Sequence, residues 1–95
     1  MTPAWTPQAL ADLGSLRDYI AEQDRAAAKR VVLRIVYCVE TLLPQSPEMG
    51  RPGRISGTRE LVVTGTPFVV PYRLRGQTIQ MLRVYHGARR WPHQF

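Results

Sequence analysis

Eleven residues near the C-terminus hold much of the chain's reactive chemistry: Leu82-Arg83-Val84-Tyr85-His86-Gly87-Ala88-Arg89-Arg90-Trp91-Pro92. An apolar strand pattern runs here into a bend at Gly87, where the backbone is free of the Cβ restriction. The bend presents His86, Arg89, Arg90 and Trp91 together. Paired arginines can clamp phosphate or carboxylate, and an indole offers a stacking platform. His86 could act as a general acid or base near neutral pH, or equally as a structural donor at a strand end.

A second basic group follows the sequence Gly50-Arg51-Pro52-Gly53-Arg54 and then Gly57-Thr58-Arg59-Glu60-Leu61. Arg59 and Glu60 are neighbours, so on a strand they face opposite sides. Arg73 and Arg75 share one face of a later strand. Hairpin pairing would bring Arg59, Arg73 and Arg83 toward one patch of sheet; the alternative is ordinary surface charge. His86 and His93 are the only histidines and Cys38 the only cysteine. That excludes an intrachain disulfide and leaves no cluster for a metal. Cys38 lies beside an apolar stripe and reads as a small buried hydrophobe. There is no glycine-rich phosphate loop, no GxSxG and no paired carboxylate, so no cofactor is expected.

The charge that surrounds these groups is lopsided. Of 95 residues, 13 are basic and 7 acidic, for a net charge of +6. Residues 1–48 carry five basic and six acidic groups, whereas residues 49–95 carry eight arginines and a single acid, Glu60. A bias of that kind points to an anionic partner, either nucleic acid or an acidic protein segment. Codon bias would explain the preference for arginine over lysine but not its confinement to one half. Arginine is also the better residue for bidentate contact with phosphate or carboxylate.

Positioning these groups requires a scaffold, and the hydrophobic pattern supplies one. A length of 95 residues and a hydrophobic fraction of 44% suit one domain, residues 1–95, with one two-layer core. No apolar run approaches the ~20 residues of a membrane span, and the opening Met1-Thr2-Pro3-Ala4-Trp5 lacks the features of a signal peptide. The expected location is cytoplasmic. Thr2 to Trp5 reads as a short extended stub. Thr6 and Pro7 form a helix start, as N-cap and first helical residue. Ala9, Leu13, Leu16 and Ile20 make its apolar stripe. Asp24 caps a second helix expected to run to Leu43 and to stop at Pro44, with Ala28, Val32, Ile35, Val39 and Leu42 as its stripe. Residues 44–57 are rich in proline and glycine and read as a long loop. The period then changes to two, giving strands at 58–64, 68–74 and 78–86. Phe68, Val70, Tyr72 and Leu74 share one face of the middle strand; Val69, Pro71, Arg73 and Arg75 share the other. Pro71 cannot donate to a ladder, so a bulge or an unpaired side is expected there. The order is β-α-α-β-β-β, an α+β design with a helical hairpin packed on an antiparallel sheet.

Several stretches taken together are similar to a known family. They are Trp5-Thr6-Pro7-Gln8-Ala9-Leu10-Ala11-Asp12-Leu13, Gly57-Thr58-Arg59-Glu60-Leu61-Val62, Phe68-Val69-Val70-Pro71-Tyr72-Arg73, and Ile79 through Pro92. Nearly the whole chain resembles the RelE/ParE family of bacterial type II toxin-antitoxin toxins, most specifically in its Arg83-to-Pro92 stretch. The resemblance implies a small basic toxin wrapped and neutralised by the C-terminal segment of an acidic-tailed, DNA-binding antitoxin. It also implies a choice of targets. ParE-like members poison DNA gyrase without nuclease activity; RelE-like members cleave mRNA on the ribosome.

RelE-like sequences carry an arginine in the middle strand, and Val69 stands in the matching place. They place another just after the last glycine, where Arg89 could serve. Their C-terminal catalytic tyrosine has no clear counterpart after Trp91. These departures favour the gyrase branch and a non-enzymatic inhibitor. The residues expected to bind target or antitoxin are Arg59, Arg73, Arg83, Tyr85, His86, Arg89, Arg90 and Trp91. A ribosome-dependent endoribonuclease would instead use Arg59, Arg83, His86 and Arg89 as its catalytic set. A third reading is a degenerate member that only binds its partner.

Overall fold

The computed structural model describes residues 1–95. Strand β1 (Thr2–Trp5) leads into helix α1 (Pro7–Ala21). The Thr6 hydroxyl accepts the Ala9 N–H at 3.1 Å, and Pro7 fills a first-turn position where no donor is needed. Asp24 caps helix α2 (Arg25–Tyr37) in the same way, its carboxylate accepting the Ala27 N–H at 3.0 Å. The two helices form a hairpin whose stripes face the sheet. Ala9, Leu16, Ile35 and Val39 are buried, with Leu13, Ile20, Val32 and Leu42 packed against them.

Helix α2 does not run on regularly to Leu43. It passes into a π-turn at Cys38–Leu42 and then a last short turn, α3 (Leu43–Gln45), that contains Pro44. A proline ring clashes with the carbonyl four residues back in α register. The wider π-turn precedes it, so the chain accommodates Pro44 instead of stopping before it. Cys38 is buried, 4% exposed, as a core side chain.

The presumed loop after it contains a strand. Arg51–Pro52 forms β2 and pairs antiparallel with β3 (Arg59–Val62). The sheet continues with β4 (Phe68–Arg75) and β5 (Thr78–Met81), in the order β1-β5-β4-β3-β2, while β6 (Tyr85–His86) also pairs with β4. Every pairing is antiparallel except that of β1 with β5, where Thr2 to Trp5 lie beside Thr78 to Met81 in parallel. The fold is thus α+β, a helical hairpin on a mixed, largely antiparallel sheet. No helix is long and apolar enough to cross a membrane.

The expected third strand is interrupted, opposite Pro71. Tyr72 pairs with Met81, but Val69 pairs with Tyr85, so Leu82, Arg83 and Val84 face only Val70 and Pro71. This extra residue is a β-bulge. The Pro71 carbonyl accepts the Leu82 N–H at 2.9 Å, and the Leu82 carbonyl accepts the Thr6 hydroxyl at 3.0 Å. The bulge thus meets the helix start in place of a proline N–H. On β4 the two faces separate as the alternation requires: Val70 and Tyr72 enter the core, with Phe68 and Leu74 packed against it.

Candidate functional site

The face of the sheet away from the helices is organised around a carboxylate. Glu60 pairs with Pro71 and Arg51 across the neighbouring strands and is only 2% exposed. Its Oε1 accepts Arg51 Nε at 3.1 Å and Nη2 at 2.9 Å. Its Oε2 accepts the Arg54 backbone N–H at 2.8 Å and Arg54 Nε at 3.1 Å. Burial alone pushes this carboxyl up, but the Arg54 backbone N–H and the Arg54 and Arg51 guanidinia outweigh it and hold it below its ordinary value.

Arg54, so fixed, stands over Trp91, with Cζ 3.7 Å from the ring centroid. Trp91 meets Tyr85 edge to face at 5.1 Å, and Tyr85 also contacts Phe95 at 6.2 Å. Arg89 and Arg83 stand over Tyr85 at 4.4 and 4.8 Å. The basic tail is therefore a layered stack of guanidinia and rings, anchored to the sheet through Tyr85 and Glu60. His86 stands exposed at its entrance, edge-on to Phe68 at 5.8 Å, with Nδ1 accepting the Ala88 N–H at 3.1 Å. Arg89 and Arg90 are exposed. The Trp91 indole N–H is buried without an acceptor.

Arg59, Arg73 and Arg83 do not form one patch. Arg59 pairs with Tyr72, on the helix side of β3, and its Nη1 donates to the carbonyls of Gly50 at 2.8 Å and Glu48 at 3.1 Å. Strand alternation sends it away from Glu60. Arg83 leaves from the bulge and grips Asp12 of α1, with Nε to Oδ2 at 2.7 Å and Nη2 to Oδ1 at 2.9 Å. Its hydrogen bonds to Asp12 push the guanidinium's pKa further up, against the opposing effect of burial. Arg73 stays on the open face, where it donates to Gln80 at 2.6 Å. It lines one depression with Arg59 and a different one with Arg83.

Tyr72 secures the start of the 44–57 segment. Its hydroxyl donates to the Pro47 carbonyl at 2.7 Å and accepts the Gly50 N–H at 2.9 Å. Burial raises its pKa, against the lowering effects of Gly50 and Arg59. A Cβ on Gly50 would lie 2.6 Å from the tyrosine ring, so only glycine admits this approach. No group of three or more His, Cys, Asp or Glu side chains is placed to hold a metal.

Sequence reasoning assigned no site role to Glu60 and Arg54, although a lone acid among eight arginines was the available signal. It also passed over a surface on α2. Leu33 is 57% and Tyr37 48% exposed, one helical turn apart and off the core stripe. With Val31 they line a groove of about 770 Å³ against the Thr64-Gly65-Thr66 turn, flanked by Arg30 and Arg34.

A helical hairpin over a mixed sheet whose open face carries a basic, aromatic tail defines a small toxin fold of the RelE/ParE kind. A family model described as the ParE toxin of the type II toxin-antitoxin system parDE matches residues 4–91, and the chain belongs to that family. It is 43% identical over 88 residues to Y4kP of Sinorhizobium fredii, which carries the designation of a toxin; the match covers 93% of this chain and 90% of that one. It is 39% identical over 85 residues to toxin RelE2 of Caulobacter vibrioides, covering 90% and 93% of the two chains. Among solved structures, a chain of the chromosomal ParDE system of P. aeruginosa superposes with a TM-score of 0.74 at 32% identity, over 90% of this chain and 95% of that one. A chain of the RelBE2 complex of Mycobacterium tuberculosis, at 24% identity and a TM-score of 0.67 with the same coverage, shares the fold.

Proposed function

We propose that this toxin acts by binding and poisoning DNA gyrase through its C-terminal tail, without cutting RNA. The observation that carries the reading is that two of the cations a nuclease would need are engaged within the protein and a third is replaced by a buried valine. Val69, at the middle-strand position where a cation would meet a scissile phosphate, is 5% exposed and paired with Tyr85. Arg83 is neutralised by Asp12, and Arg59 is spent on two backbone carbonyls. Losing one preorganised donor to developing charge typically costs ~2.7–4 kcal/mol of transition-state stabilisation. Binding a protein target asks instead for an anchored aromatic with exposed cations around it, and Trp91 with Arg89 and Arg90 has that form.

Neutralisation falls to an antitoxin. The groove beside Leu33 and Tyr37 suits an amphipathic acidic segment, whose apolar side would cover those residues while its carboxylates meet Arg30 and Arg34. Such a segment would belong to the acidic-tailed, DNA-binding antitoxin of the pair.

Supercoiling by gyrase, run beside mRNA cleavage on programmed ribosomes, separates the two targets. The expected result is inhibited supercoiling with trapped cleavage complexes and intact message. Arg89→Ala and Trp91→Ala should each weaken inhibition while leaving the melting temperature near that of the parent. Cut message with normal supercoiling would overturn the gyrase reading and move His86 and Arg89 into catalytic roles. Induced expression should stop bacterial growth, and co-expression of the antitoxin should restore it.

A further inference from the structure

Where α1 begins, a second cavity of about 490 Å³ opens against the outer face of β4 and β5. Gln8, Arg73, Gln80, Leu82, Arg83 and Phe95 line it, with no acidic side chain among the lining residues; Asp12 stands behind Arg83. Arg73 spends one N–H on the Gln80 side-chain oxygen and pairs with no acid, so its terminal nitrogens remain available. Arg83 gives Nε and Nη2 to Asp12 and keeps Nη1. The Gln80 amide nitrogen makes no bond within the protein. Gln8, second residue of α1, has no intrahelical acceptor for its N–H. Donors from α1, β4, β5 and the bulge thus border one cavity, where the Gln80 oxygen is already taken by Arg73 and the Leu82 carbonyl by Thr6, and this favours an oxyanion.

The size and the far wall narrow the ligand. The volume lies within the ~300–1,000 Å³ of small-molecule sites and exceeds the needs of a bare phosphate. Phe95 supplies an aromatic surface at the same cavity. Arg73 is the one unneutralised guanidinium; with the Gln80 amide and the remaining Nη1 of Arg83, whose charge Asp12 already offsets, it offers more donors than a single carboxylate can use and suits the several oxygens of a phosphate monoester. We propose that this cavity binds a nucleoside monophosphate, with the phosphate held by Arg73, Gln80 and Arg83 and the base against Phe95. The site adjoins the Trp91 tail, sharing Arg83 and Phe95 with its stack, but its phosphate-holding residues Arg73 and Gln80 lie outside the tail.

Calorimetric titration of the purified toxin with AMP tests this at fixed ionic strength, with adenosine and inorganic phosphate as parallel arms. AMP should bind saturably at one site, and each half-ligand at least ~10-fold more weakly. Gln80→Glu, which places a carboxylate among the donors, and Arg73→Gln should each weaken AMP at least ~10-fold with the melting temperature unchanged. Arg75→Gln, on the same strand but outside the cavity, should bind AMP as the parent does. Phe95→Ala should bring AMP down to the affinity of inorganic phosphate. Heat no greater than that of added chloride would overturn the proposal, as would full AMP affinity in Gln80→Glu. Equal displacement of AMP by an oligonucleotide lacking a terminal phosphate would also overturn it, since the surface would then be a general polyanion patch.

Discussion

The carboxylate of Glu60 is 2% exposed, yet its partners Arg51 and Arg54 keep side chains 53% and 42% exposed. It acts as an inner counter-charge that turns two mobile surface arginines into fixed ones, and one of these is the platform under Trp91. Because its pKa is lowered on folding, the folded state holds the charged form more tightly than the unfolded chain does. The stability it contributes is fully present above the ordinary carboxyl value of 4.5 and is lost as pH falls through the lower folded value. Glu60→Gln should therefore flatten the acid limb of the stability profile measured by urea unfolding. At neutral pH it should cost about 1–3 kcal/mol, the range for stranding buried hydrogen-bonding groups, tempered here by solvent around the arginines. Near-UV circular dichroism should lose part of its indole signal, because Trp91 loses its fixed neighbour. An unchanged indole signal in Glu60→Gln would mean that the tail is held by Tyr85 alone. Residue types made the tail visible in the sequence. The link from Glu60 through Arg54 to Trp91 was not, since it joins positions 31 residues apart that only the fold brings together.

At the scale of elements, the helices follow from local signals. Thr6-Pro7 and Asp24 cap where side-chain oxygens can reach orphan N–H groups, and the two apolar stripes reach the core through Leu16, Ile35 and Val39. Ile35 is fully buried between α2 and the sheet, so Ile35→Ala should destabilise the protein by about 2–5 kcal/mol in chemical denaturation. A change below about 0.5 kcal/mol would mean that this stripe does not bear on the core. What sequence periodicity could not convey is where pairing changes register. The bulge at Leu82–Val84 keeps a two-residue alternation on both sides of the break, so it looks continuous until Pro71 is seen across from it. The π-turn before Pro44 has an ordinary helical mix, Cys38-Val39-Glu40-Thr41-Leu42, with no glycine or proline to mark it. Strand β2 has two residues and is set by pairing to β3, with no pattern to announce it. The parallel placement of β1 depends on a partner more than 70 residues away.

For the molecule as a whole, charge and shape divide the work. The eight arginines of residues 49–95 are partly consumed internally: Arg51 and Arg54 by Glu60, Arg83 by Asp12 and Arg59 by carbonyls. Arg73, Arg75, Arg89 and Arg90 remain without a carboxylate partner, and a net charge of +6 still dominates the field felt by an approaching anion. An acidic antitoxin segment should accordingly be steered by that field and retained by the apolar groove at Leu33 and Tyr37. These two contributions separate in kinetics. Between about 0.1 M and about 1 M salt the screening length falls from ~10 Å to ~3 Å, so long-range steering is lost while apolar contact is not weakened. The association rate with the antitoxin segment should then drop at least ~10-fold, with a much smaller change in dissociation. Leu33→Glu should show the opposite signature, because it spoils the groove and adds one negative charge to a field of many positive ones: fast dissociation with association only modestly slowed. Surface plasmon resonance over a salt series reads both rates. A salt-independent association rate would show that the arginine-rich half does not guide its partner. Unchanged dissociation from Leu33→Glu would place the docking surface elsewhere on the molecule.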